Sequence, residues 1–273
     1  AERADELTGT SDEQGGQSET ATGPTDATAG IEQAVEDADA GDLRDFLRDV
    51  LATDPALAER FRATVGEPVE KAVTDYRREI GRAFDDAAGQ RGIIEYDTHI
   101  EFGEYHDRAT AYRERGSHEQ ALRIYRALAE TIRENFGRID DSGGYYGAEL
   151  ERAIDAYAAC VSAAGFDFEI WQDHADYLFE QFESADFGFV RGDYADALQT
   201  VAGTTDQLDY LRSLLAPRVD ALEDNADARA DLWRSERRDR LSPEGRALLS
   251  TYLWVLGELD ERDELRATLA QTY

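Results

Sequence analysis

Few side chains in this sequence stand where chemistry needs them. Its four histidines are His99, His106, His118 and His174. His99 and His106 are seven residues apart, with Glu101 and Glu104 nearby. A helix spanning both would put them on one face but about 10 Å apart along the axis, whereas helical metal pairs use a spacing of four. The pair is therefore read as non-metallic. The single cysteine, Cys160, lies in AIDAYAACVSAAG, an alanine-rich face suited to close helix packing. No histidine is near it in sequence and burial raises a thiol pKa, so a small buried hydrophobe is expected, not a nucleophile.

The run Asp140-Asp141-Ser142-Gly143-Gly144 could gather oxygen ligands around a divalent cation. It lacks the spacing and terminal glutamate of an EF-hand. The expectation is a helix stop followed by caps for the next helix, so no metal is assigned, and Asp140, Asp141 and Ser142 are the nearest thing to a ligand set. Arginines concentrate at Arg77-Arg78-Arg82 and at Arg229-Arg234-Arg237-Arg238-Arg240, the latter with Trp233. Acids interrupt both sets at helical spacing, which predicts intrahelical ion pairs. With no phosphate loop, nucleophile elbow or metal pair, neither an enzyme nor a cofactor is expected.

The elements that must position these groups are helices. From Ile31 onward, apolar residues recur at three and four almost everywhere. Leu43, Phe46, Leu47, Val50 and Leu51 form one stripe, and Asp54-Pro55 supplies a cap and a first-position proline. Helices are predicted over 68–88, 96–115, 117–136, 148–164, 169–184, 194–201, 205–222, 226–238, 242–256 and 261–269. Gly116 separates a hairpin, and Ser117 with Gln120 reads as a capping box. Strand signals are nearly absent. Residues 1–30 hold Leu7 as their one large apolar residue and read as a disordered acidic linker, leaving 31–273 as the folded domain.

Within the hairpin, Ala109, Tyr112, Gly116, Ala121, Leu122, Tyr125 and Leu128 resemble one tetratricopeptide repeat, and His118 stands where that pattern packs an aromatic. Gly192, Tyr194, Ala197 and Leu198 echo its turn and second helix. The two glycines lie 76 residues apart, which is no multiple of the 34-residue period. The predicted fold is thus all-α, an irregular antiparallel helical-repeat (TPR-like) array. If the hairpin is a true repeat, its inner helix presents His106, Thr110 and Arg113 to a partner groove.

Composition sets the environment. Sixty Asp and Glu face 29 basic residues, of which only Lys71 is lysine, for a formal charge of −31. Such a surface repels itself unless salt screens it, since the Debye length is about 3 Å at 1 M. A salt-adapted, archaeal, cytoplasmic protein is expected. Phosphate binding weakens with salt, so direct nucleic-acid binding by this segment is not expected. One cysteine permits no internal disulfide, and no apolar run reaches the roughly 20 residues of a membrane span. There is no methionine, even at position 1, which suggests a piece of a longer or processed chain.

A further likeness covers most of residues 40–215. The run LRDFLRDVLATDPALAERF resembles the element that follows the finger in SWIM zinc-finger proteins. The later Asp140-Asp141-Ser142-Gly143, the helix with Cys160 and the aromatic Tyr177-Leu178-Phe179 agree with it in order. The finger itself needs three cysteines and a histidine, so none is present here. The resemblance implies a helical accessory region associating with protein or nucleic acid, and no reaction. A non-enzymatic protein- or peptide-binding scaffold follows as the leading expectation, with an accessory domain for an upstream nucleic-acid-binding finger as the alternative.

Overall fold

A computed structural model describes residues 37–65, 71–89, 92–185, 188–230 and 243–272, together with 30, 34 and 35. The expected linker, apart from Gly30, lies outside them. The chain divides into two units, Ala1–Pro55 and Ala56–Tyr273. In the first, helix α1 (Ala40–Thr53) starts where the Asp39 carboxylate accepts the Gly41 N–H at 2.7 Å. It carries the predicted stripe of Leu43, Phe46, Leu47, Val50 and Leu51, yet none of its residues is buried.

The second unit is built from α2 (Pro55–Val65), α3 (Val73–Ala88), α4 (Gly103–Glu114), α5 (His118–Asn135), α6 (Tyr145–Ala164), α7 (Phe168–Glu183), α8 (Gly188–Val201), α9 (Thr205–Ala230), α10 (Pro243–Glu258) and α11 (Arg262–Thr272). The architecture is all-α: among the described residues the one strand-like feature is a single bridge between Ile94 and Ile139. None of the described helices is long and apolar enough to cross a membrane. Helix α5 lies at the centre, with α3, α4 and α6 around it; α6 runs beside α8, which packs on α7 and α10, and α10 in turn meets α9 and α11. Thus α3 lies beside α5, α6 beside α8 and α8 beside α10.

Several boundaries differ from the periodic reading, each for a tertiary reason. The helix expected from Pro68 begins at Val73, because Ala72 is extended (ψ 157°) and the Lys71 carbonyl accepts from Arg123 at 3.3 Å. The helix expected from Tyr96 begins at Gly103. Residues ahead of it are held in a turn and irregular backbone: the Tyr146 hydroxyl donates to the Thr98 carbonyl (2.9 Å), and the Tyr145 hydroxyl donates to that of Ile100 (2.7 Å). His99 is consequently not on a helix with His106, and its ring stacks on Tyr145 at 4.4 Å. Helix α9 runs unbroken through Pro217 to Ala230 where two helices were predicted; the end expected at Arg238 lies outside the described residues.

The hairpin between α4 and α5 forms as predicted, but not by the predicted cap. Gly116 adopts φ 77°, a left-handed value glycine tolerates, and the Ser117 N–H bonds back to the Tyr112 carbonyl at 2.9 Å. That geometry takes Ser117 to φ −85°, ψ 58°, outside the extended region from which a hydroxyl reaches the first turn, and Gln120 is buried. The capping box is not made.

Candidate functional site

Helix α4 carries polar groups toward two neighbours at once, and this places the predicted partner-facing residues. His106 is buried, with Nε2 at 3.1 Å from the Glu149 carboxylate of α6. Burial, reinforced by the Arg152 guanidinium, lowers its pKa despite the pull of Glu149. A neutral ring donating from Nε2 fits these surroundings. Thr110 and Arg113 are half-buried one and two turns further along the same side. Burial raises the Tyr125 phenol against the hydrogen bond of Thr110 and the field of Arg113. His106, Thr110 and Arg113 thus do share one seam, formed with α5 and α6, but His106 serves as its internal link.

At the far end of this seam the fold supplies a histidine that sequence distance hid. The Cys160 sulfur is 3.6 Å from His118 Nδ1 and contacts the His118 carbonyl at 3.8 Å. The thiol is wholly buried, and burial pushes its pKa up to about 11. It is protonated at neutral pH and therefore a packing group. His174 bonds the Tyr157 hydroxyl at 2.7 Å and stacks on Phe166; burial lowers its pKa as well.

The Asp140–Ser142 loop spends its oxygens on its own Ser142 and on the backbone that opens α6. Asp140 accepts the Ser142 N–H at 3.2 Å, while the two oxygens of Asp141 accept the N–H groups of Tyr146 and Gly147 at 2.9 Å each, closing the start of α6. Among the described residues no three His, Cys, Asp or Glu side chains converge closely enough to hold a metal ion.

The densest constellation of charge is one the sequence reading missed. Glu59, 3% exposed on α2, accepts from Lys71 (2.7 Å), from Arg108 (2.9 Å) and from the Tyr76 hydroxyl. Glu79 on α3 closes the ring, at 3.1 Å from both Arg108 and Lys71. Arg108 is 1% exposed, lies over the Tyr105 ring at 4.6 Å, and keeps its Nε without a hydrogen-bond partner. Burial works against ionisation here, but the alternating charges win: Glu79 is lowered and Lys71 and Arg108 are raised. Glu79, Lys71 and Arg108 are thus held in their charged forms. The readable signal was Arg108 itself, set among Tyr105, Ala109 and Tyr112 on an apolar stripe.

Arginine pairing also differs from expectation. Arg78 pairs within its helix, with Asp75 at 2.9 Å, but Arg77 reaches across to Glu130 and Glu134 of α5 at 3.1 and 2.5 Å. Apart from the backbone of Arg229 in α9, the second cluster lies outside the described residues. No protein-family model matches the chain, and neither a curated protein nor a solved structure matches it.

Proposed function

We propose that this chain is a non-enzymatic helical scaffold, a repeat-like (TPR-like) interaction module of a salt-adapted cytoplasmic protein, which takes a peptide or helix of a protein partner on the surface shared by α4 and α6. The observation carrying the reading is the His106–Glu149 contact. It links α4 directly to α6, the kind of tie that supports reading the two helices as parts of one partner-facing surface. Because His106 is buried, the groups left for a partner are Thr110, Arg113 and the exposed Arg152.

The likeness to the region after a SWIM finger fits an accessory role. The residues that carry it do structural work here: Asp141 caps α6, Cys160 is core, and Tyr177, Leu178 and Phe179 are buried. The alternative, assistance to nucleic-acid binding by an upstream finger, requires a negative salt slope in filter binding. The formal charge of −31 weighs against it, since repeating phosphates would run onto a carboxylate-rich surface.

A photo-crosslinking residue placed at 113, at 152 and, as control, at the exposed position 220 tests the proposal in salt-rich cells. One recurrent protein adduct at 113 and 152 but not at 220 supports the face. Equal labelling at all three positions removes it.

A further inference from the structure

We propose that a cleft between α3 and α5 binds a compact oxyanion of the phosphate class. The cleft is about 310 Å³; Arg77, Arg78 and Arg138 line it with Thr74, Thr131 and Asn135, and the carboxylates of Asp85 and Glu134 also stand on its wall. In a chain of charge −31, three guanidinium groups gather around one concavity, each paired with a carboxylate that an entering anion must displace or share. Guanidinium groups suit tetrahedral oxyanions because their paired N–H groups match the oxygens.

The cations are held in place but are not exhausted. Arg77 is anchored by the largely buried Glu130, and its second partner, Glu134, is 58% exposed. Arg138 is braced by Asn135 through Nε at 2.6 Å, and its NH2 partner, Asp85, is 71% exposed. Asp75, the partner of Arg78, is 46% exposed. Such exposed pairs contribute little, so an entering dianion can replace Glu134, Asp75 and Asp85 while Glu130 and Asn135 keep two guanidinium groups aimed.

Two further observations point to an occupant. The Thr131 hydroxyl is buried at the cleft lining and has no hydrogen-bond partner, an uncommon condition for a buried polar group. Gly81, also on the lining, sits inside α3, where glycine weakens a helix relative to alanine. No close contact requires it, since a Cβ there would meet nothing within 4 Å. Its effect is to leave one wall of the cleft open. The acids at the rim favour a small anion over nucleic acid, whose repeating phosphates would run onto a carboxylate-rich surface.

The test is titration of the whole chain with inorganic phosphate and with glycerol phosphate, followed by ³¹P line broadening and thermal shift, with chloride adjusted to constant ionic strength. Saturable binding is expected. It should weaken at least tenfold in Gly81→Leu, which fills the cleft and keeps every arginine, and in Arg138→Gln. Tighter binding of glycerol phosphate assigns the site to a small monoester, and equal binding assigns it to free phosphate. The proposal falls if phosphate does no more than chloride, if Gly81→Leu binds as the parent does, or if a single-stranded oligonucleotide outcompetes both small anions.

Discussion

Two charged regions of this molecule behave in opposite ways. Around Glu59, two carboxylates and two cations alternate across α2, the residue pair ahead of α3, α3 and α4, so that each charge has neighbours of the opposite sign. Between α6 and α8, Glu151 and Asp155 face Asp193 and Asp196. There burial, and after it the fields of Glu151, Asp155 and Asp196, push Asp193 up to about 6. The excess of acid is therefore not spread evenly. Cations are placed where a carboxylate is fully desolvated, since an unpaired charge there would cost several kcal/mol. Where carboxylates keep partial contact with water they repel each other, and salt or a proton can relieve that repulsion.

Breaking the paired region should produce the largest effect. Replacing Arg108→Met leaves Glu59 buried with one cation fewer, and about 3–5 kcal/mol of folding stability should be lost, read by chemical denaturation in concentrated KCl. A loss below about 1 kcal/mol would show that the network is not what joins α2 to α3 and α4.

Relaxing the repulsive region should do the reverse. Asp193→Asn should stabilise the protein by about 1–2 kcal/mol at neutral pH, a figure reduced for partial exposure. The sign follows from linkage. The folded-state pKa of about 6 lies above the ordinary 3.8, so between those values the folded chain holds a proton that the unfolded chain has released. Stability falls as pH rises through that window, and the advantage of the asparagine should vanish below it. An advantage that persists at the acid end would mean a packing effect.

A smaller effect tests the electrostatic account through salt. Raising KCl should stabilise the parent more than Asp193→Asn, by about 0.5 kcal/mol, since screening acts on repulsion that the variant lacks. Smallest of all, Asp45→Asn removes the Arg48 pair on α1, where both side chains are more than 70% exposed. The change should stay within about 0.5 kcal/mol. A larger loss would undo the rule that burial decides which pairs matter.

Much of the fold was legible, and the seam less so. The stripe Tyr76, Ile80, Phe84 gave α3 its buried face directly, and Gly116 marked its turn. His106, Thr110 and Arg113 fell on one side of α4 because helical spacing alone puts them there. That His106 would be sealed by Glu149, 43 residues later, was not readable, because no local pattern specifies which helix lies opposite. The same holds for Cys160 and His118.

The sequence by itself determined the helices, most of their turns and the acidity of the surface, since these depend on spacing of three and four, on glycine and on residue counts. Only the tertiary structure decided that Tyr145 and Tyr146 unwind residues 96–102, that Arg108 can be buried, and that α6 lies beside α8. Each of these outcomes rests on a hydrogen bond or a contact between distant segments. Its energy exceeds the local preference of the residues it overrides.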